Sequence, residues 1–274
     1  MILVIDTFGG LCNQMMDIKS IVSFVDKYNF NFSFRFANFR NFDLLSWYNV
    51  NFNELFDDNF LIDNINYIKF DEISEKINNI NTFNFESRCV TNFFNKTTNT
   101  DLSNQIKEIN KDYIIIKQFW CLFDWSDNIK NINILPNKKI KDIYDKYINL
   151  TFQNNKYNFI HFRFENDFKN YFNLSDDDLN LELVSNKINF KNNYQIYLAT
   201  YYNLLSTKNK EICKKNNFIN KYEFINSEYE SINYEECAFI DYLIGLNAEE
   251  VYGHNKSSFS TTLNTIKKTN NYYN

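Results

Sequence analysis

An alternation that begins at Tyr157 restricts the fold more than anything else in the chain. Residues 157 to 162 form an apolar, β-favouring run, 176 to 190 a helical pattern, 194 to 199 (YQIYLA) a second strand and 203 to 215 a second helix. A third strand is expected near 222 to 225, a helix at 233 to 246, a short strand at Glu250 to Tyr252 and a last helix from about Ser257. Strands that alternate with helices pair in parallel, because each crossover brings the chain back to the same sheet edge. Such sheets bind ligands at the carboxyl ends of their strands. Polar residues gather at those ends here, at 161 to 167, 200 to 202 and 253 to 258.

The beginning of the chain repeats the theme. Ile2 to Ile5 reads as a buried strand, Asp6 to Gly10 as its turn, and Leu11 to Tyr28 as a helix with Leu11, Met15, Ile18, Val22 and Val25 at helical spacing. Asn31 to Phe36 follows as an alternating strand. Gly9 and Gly10 are two of only four glycines, and glycine at a strand end lets an anionic group approach the backbone at a helix start. A tight turn without a ligand explains them equally well, and the spacing is not G-x-G-x-x-G. Asn13 and Gln14 in the first helical turn read as caps. From Asn41 to Asn110 the pattern weakens, with short helices placed at Asp43 to Trp47 and Ser74 to Ile80. Tyr113 to Phe119 is a strand, and Lys138 to Leu150 a helix after the single proline, Pro136. The polar run TFQNNK sets the boundary between domains at 1–153 and 154–274.

Composition narrows the function. With 274 residues the chain suits two domains, and a net charge of -5 argues against a nucleic-acid binder that relies on general phosphate attraction. Cys12, Cys89, Cys121, Cys213 and Cys237 include no C-x-x-C, so neither a disulfide framework nor a zinc site is signalled, and a cytoplasmic location is expected. The opening run of four apolar residues is too short for a membrane span or a secretory signal.

Rare residues mark the candidate chemistry. His occurs only at 161 and 254 and Arg only at 35, 40, 88 and 163, against many lysines. An arginine at a strand end suggests a planar, permanently charged fork for phosphate or carboxylate. The plainer alternative is a surface Arg163 paired with Glu165 or Asp167. Ser257 and Ser258 open the last helix, where serine caps the helix, holds an anion, or does both. Asp241 is either a solvated helix charge or an acceptor for sugar hydroxyls or base nitrogens.

Four segments in order, GGLCNQ (9–14), HFRFEND (161–167), IYLAT (196–200) and AFIDYLIGLNAEEVYGHNKSSFS (238–260), resemble the motifs of GDP-fucose-dependent fucosyltransferases. The likeness is nearest to the protein O-fucosyltransferase and plant O-fucosyltransferase-like group, with the α1,6-fucosyltransferases as cousins; residues 40 to 150 are unmatched. It implies a GT-B fold, two Rossmann-like α/β domains facing across a cleft, the first on the acceptor side and the second holding the nucleotide sugar. It further implies inverting transfer of fucose from GDP-fucose to a protein or glycan hydroxyl, without a metal or other cofactor. On matching positions Arg163 grips the pyrophosphate, His161 and Asp241 contact the guanine or ribose, and Ser257, Ser258 and the Phe259 amide bind phosphate oxygens. Gly9, Gly10 and Asn13 close over the donor, and Asp167 orients Arg163. Three departures stand out. Cys12 replaces a glycine, Leu11 stands where one branch has a glutamate base, and Tyr201 follows Thr200 where an acidic residue is usual. Glu165 is then the nearest carboxylate for the base, and some relatives manage with an asparagine at the Asn13 position in place of a carboxylate. The alternatives are a transferase for another GDP-deoxyhexose and an inactive nucleotide-binding module.

Overall fold

The computed structural model describes residues 1–41, 46–64, 66–77, 81–85, 98–175, 179–222, 224–225 and 232–273. Its contacts divide the chain into two compact units, Met1–Lys138 and Lys139–Asn274.

Among the described residues of the first unit, one sheet takes the strand order β3-β2-β1-β6-β5, from β1 (Ile2–Asp6), β2 (Asn31–Arg40), β3 (Trp47–Asn51), β5 (Thr82–Phe85) and β6 (Tyr113–Lys117). A short antiparallel pair, β4 (Phe56–Asp57) with β7 (Leu135–Pro136), lies apart from it. All pairings in the main sheet are parallel except that of β3 with β2. β1 is central and apolar, and α1 (Leu11–Tyr28) buries all five residues of the expected stripe. The helix stops where Asn29 takes φ 57°, a left-handed cap that closes onto the Val25 carbonyl. Its stripe also buries Gln14, Asp17 and Ser20, polar residues that hydrophobic spacing does not flag.

The weakly patterned middle departs from expectation. Trp47 opens a strand and Ser46 before it belongs to no element, while 43–45 of the helix expected from Asp43 lie outside the described residues; the stretch after Ser74 is a single 3-10 turn, Ser74–Lys76, with 78–80 also outside them. Cys121 is disulfide-bonded, whereas Cys12, Cys213 and Cys237 form no disulfide. Wide spacing in the sequence hid that bridge, since a disulfide needs proximity in space rather than a local motif.

The second unit opens with α3 (Lys138–Thr151), whose Tyr147 packs edge-on against Phe152 and Tyr197. Its described strands are all parallel, in the order β11-β10-β8-β9, from β8 (Tyr157–His161), β9 (Gln195–Ala199), β10 (Val251–His254) and β11 (Tyr272–Tyr273). The connecting helices are α4 (Asn166–Phe172), α5 (Leu181–Lys187), α6 (Thr207–Lys215), α7 (Tyr234–Asn247) and α8 (Ser258–Lys267). The strand expected at 222 to 225 is instead helical at Tyr222, Phe224 and Ile225; the extended contact falls earlier, as an Ile219 bridge to Tyr197. Aromatic, β-favouring residues suggested the strand, but burial against the sheet face suits them equally in a helix. The helix expected from 203 divides into a 3-10 turn, Tyr202–Leu204, and α6, where Ser206 caps the new start by accepting from Asn209 N–H. The last residues supply a strand absent from the expected series, β11: Tyr273 is buried and donates from its hydroxyl to the His161 carbonyl at 2.7 Å.

Two glycines let this unit close. A Cβ on Gly253 would collide with Ser260, and one on Gly245 would lie 2.6 Å from Leu263, so α8 approaches both β10 and α7 only because those positions are bare.

Candidate functional site

β8 is flanked by parallel strands on both sides, so its residues from Tyr157 to Ile160 are buried and its first free polar positions come at its carboxyl end. The backbone leaves the sheet after His161, and Arg163 follows with its side chain 19% exposed. The Arg163 Nε lies 3.6 Å from Glu165 Oε2, and its guanidinium sits 4.9 Å from the centre of the Phe168 ring. Glu165 is itself buried and fixed: Oε2 accepts from Phe164 N–H at 3.2 Å and Oε1 from the Tyr234 hydroxyl at 2.9 Å. The pairing with Glu165 expected of a surface arginine is therefore present, but it aligns a mostly covered fork between a carboxylate and a ring. Asp167 lies on α4, and its side chain is outside the described residues.

Next to this strand end lies that of β10, in register with β8 at Gly253 and His161. His161 Nδ1 lies 2.8 Å from Ser260 Oγ, and its ring tilts over Phe259 at 4.4 Å. Burial, and then the positive charge of Arg163 and Lys221, holds the imidazole pKa down at about 3, so this histidine is neutral at physiological pH. His254 Nδ1 accepts from Lys256 N–H at 3.2 Å, and its ring meets Phe168 edge-on. Ser257 occupies the N-cap position of α8 without capping it: its hydroxyl is buried and makes no hydrogen bond. Ser258, the first residue of that helix, is exposed, while Phe259 is buried. At the end of β9, Thr200 Oγ1 is likewise buried without a partner. A buried polar atom left unpaired costs about 1–3 kcal/mol, so two of them at the strand ends on either side of β8 point to a ligand that completes them.

Asp241, on α7, is not a solvated charge. Its Oδ1 accepts from the Tyr197 hydroxyl at 2.5 Å and its Oδ2 from Lys221 Nζ at 2.6 Å, and all three residues are buried. Burial pushes its pKa up, and Lys221 opposes that shift. Each carboxylate oxygen keeps one lone-pair direction beyond these bonds.

In the first unit, Gly9 takes φ +91° and would press a Cβ onto the Asn13 side chain; a Cβ on Gly10 would lie 2.9 Å from Arg40 Nη2. The bare turn therefore brings the Arg40 guanidinium and the Asn13 amide close to the start of α1. Gln14 is not a cap. Its Oε1 accepts from Thr7 and from Asn38 N–H, and its Nε2 donates to the Gly9 and Asn38 carbonyls.

The structure thus brings His161, Arg163, Glu165, Ser257, Phe259 and Asp241 together at one edge of the second sheet, and Gly9, Gly10 and Asn13 at the corresponding edge of the first. Sequence reasoning missed Lys221, Tyr197, Tyr234 and Tyr273. Tyr197 and Ser260 carried a signal, as members of the motifs IYLAT and SSFS, and the other three carried none. Among the described residues no cluster of His, Cys, Asp and Glu has the makings of a metal site, and no helix is long and apolar enough to cross a membrane.

No family model matches the chain, and no curated protein matches it in sequence. Solved structures do match. An apo form of POFUT1 superposes with a TM-score of 0.63 at 10% identity, covering 99% of this chain and 97% of that one. POFUT1 in complex with GDP-fucose gives 0.57 at 11%, over 98% and 94%. The fucosyltransferase NodZ from Bradyrhizobium gives 0.53 at 12%, over 96% and 93%. The chain has the GT-B fold of these fucosyltransferases across nearly its full length.

Proposed function

We propose that this chain is a glycosyltransferase that moves fucose from GDP-fucose to a hydroxyl of a protein or glycan, with inversion and without a metal. The observation that carries the reading is the pairing of a sheltered guanidinium, Arg163, with an unsatisfied buried hydroxyl, Ser257, at neighbouring carboxyl ends of one parallel sheet. A diphosphate fits both needs. Its oxygens complete the serine and the free amides of α8, and its charge meets the arginine fork. As the bond from the sugar to phosphate breaks, negative charge grows on the leaving oxygen, and a positioned cation lowers that barrier.

Other groups have subsidiary parts. Neutral His161 adds a hydrogen-bonding ring without repelling a base, and Asp241 uses its remaining lone pairs for the donor N–H groups of guanine. Lys221, 2.6 Å from that carboxylate, opposes the protonation that burial favours. Ser258 and the Phe259 amide add phosphate contacts, and Glu165 is the carboxylate available to take the acceptor proton. The POFUT1 structure solved with GDP-fucose supports this donor for the fold.

GDP and UDP, each with and without the sugar, are compared by thermal shift. GDP at about 100 times its Kd should stabilise the protein by about 2.7 kcal/mol, or several degrees. Release of GDP from GDP-fucose should fall about 1,000-fold in Arg163→Ala, the scale of losing a principal transition-state donor. Unchanged turnover in that variant, or a preference for UDP, would overturn the reading.

A further inference from the structure

At the end of β9 stands a tyrosine to which the reading above gives no part. We infer that the ring of Tyr201 stacks on the guanine of the bound nucleotide. The inference rests on the donor reading and adds a residue to the same site.

Its neighbours place Tyr201 between the groups assigned to the two ends of GDP. On one side its ring meets that of Tyr234 edge-on at 5.5 Å, and the Tyr234 hydroxyl donates to Glu165, which lies 3.6 Å from Arg163. On the other it tilts against Tyr222 at 5.7 Å. Lys221 Nζ sits 4.6 Å from the centre of the Tyr222 ring and 2.6 Å from Asp241 Oδ2. Arg163 is assigned to the diphosphate and Asp241 to guanine, so the nucleoside that joins them passes the Tyr201 side chain. The strand register agrees. Ala199 pairs with His161, and Phe162 N–H donates to the Ala199 carbonyl at 2.9 Å, so Tyr201 and Arg163 leave neighbouring strands at the same level.

The ring is suited to stacking. It is partly exposed, and neither Tyr222, at 54°, nor Tyr234, at 82°, lies parallel to it, so neither is stacked on it. Contact with both fixes the ring before a ligand arrives, which lowers the ordering cost of binding. The Thr200 hydroxyl, buried and unpaired one residue earlier, shows independently that the end of β9 is left incomplete within the protein. Tyr201 is also one of the positions at which the chain departs from the fucosyltransferase motifs, where an acidic residue is usual. A phenol whose pKa burial raises further brings no negative charge against the diphosphate.

The test measures binding of GDP and of pyrophosphate to the full chain by calorimetry, in the wild type, Tyr201→Leu and Tyr201→Phe. Pyrophosphate keeps the contacts with Arg163 and Ser257 but has no guanine to stack. Tyr201→Leu keeps apolar bulk against Tyr222 and Tyr234 and removes the π face, so its Kd for GDP should rise about tenfold while that for pyrophosphate changes by less than about twofold. Tyr201→Phe keeps the face and loses only the hydroxyl, and should bind GDP within about twofold of the wild type. The inference is overturned if Tyr201→Leu binds GDP as well as the wild type, or if it weakens both ligands equally, as loss of a scaffold residue would. It is also overturned if Tyr201→Phe loses as much GDP affinity as Tyr201→Leu, as loss of a hydroxyl contact would. Failure of GDP or of pyrophosphate to bind the wild type would remove the donor reading, and the stacking with it.

Discussion

The turn after β1 and the turns after β8 and β10 each follow the carboxyl end of a strand with parallel neighbours on both sides, yet they use their polar atoms differently. In the first unit Gln14 satisfies Thr7, Gly9 and Asn38, and buried Asp17 accepts from Phe8 N–H at 3.0 Å and Trp120 N–H at 2.9 Å. Burial pushes the Asp17 pKa well up despite those bonds. Ser33 Oγ, Asn38 Oδ1, Ser103 Oγ and Trp120 Nε1 are left over there, but none belongs to the turn itself. In the second unit Ser257 and Thr200 are left over at the strand ends. A polar residue whose partners all lie within the protein builds scaffold; one buried with none is prepared for something that arrives later.

The comparison can be broken most forcefully at the Lys221 and Asp241 pair, the exception in which the second unit satisfies itself. Lys221→Met strands a buried carboxylate and should cost about 3–5 kcal/mol in urea unfolding, much of it recovered in Lys221→Met/Asp241→Leu. A loss below 1 kcal/mol would mean that the pair is not buried as described. Gln14→Leu comes next. It leaves several backbone and side-chain groups of the first turn unpaired, and a loss of about 2–3 kcal/mol is expected.

The pH dependence sharpens the contrast at His161. Its folded pKa, about 3, lies below its unfolded value of 6.5, so the unfolded chain binds the extra proton. The stability it contributes is complete above pH 6.5 and is lost as pH falls toward 3. Between about pH 6 and 3 the wild type should therefore lose about 1.4 kcal/mol per pH unit more than His161→Phe, read from urea midpoints. Equal slopes would place a charged imidazole in the fold. The smallest effect on stability is expected at Ser257. Removing an unsatisfied hydroxyl in Ser257→Ala should change the midpoint by less than about 0.5 kcal/mol, while GDP affinity falls about tenfold.

Periodicity revealed much of the fold because buried parallel strands and amphipathic helices write their burial into the sequence. β1, α1, β6, β8, β9, α7 and β10 all fall close to where apolar spacing placed them. It failed where burial does not depend on period. The aromatic residues at 222 to 225 pack equally well in a helix, and Tyr272 and Tyr273 became a strand through pairing with β10, which a local pattern cannot announce. The site followed the same division. Rarity exposed Arg163, His161 and the pair Gly9 and Gly10, but Lys221 was one lysine among many, and Gln14 resembled a cap until its four hydrogen bonds were seen.

The central claim is that the strand ends of the second unit hold a nucleoside diphosphate through Arg163. Calorimetric titration of GDP into the wild type and into Arg163→Ala, with unfolding midpoints measured in parallel, tests it directly. The account predicts a Kd about 100-fold weaker in the variant, the loss expected of a charge-assisted contact, in a protein that still unfolds cooperatively. Equal affinity for GDP in the two proteins would contradict it.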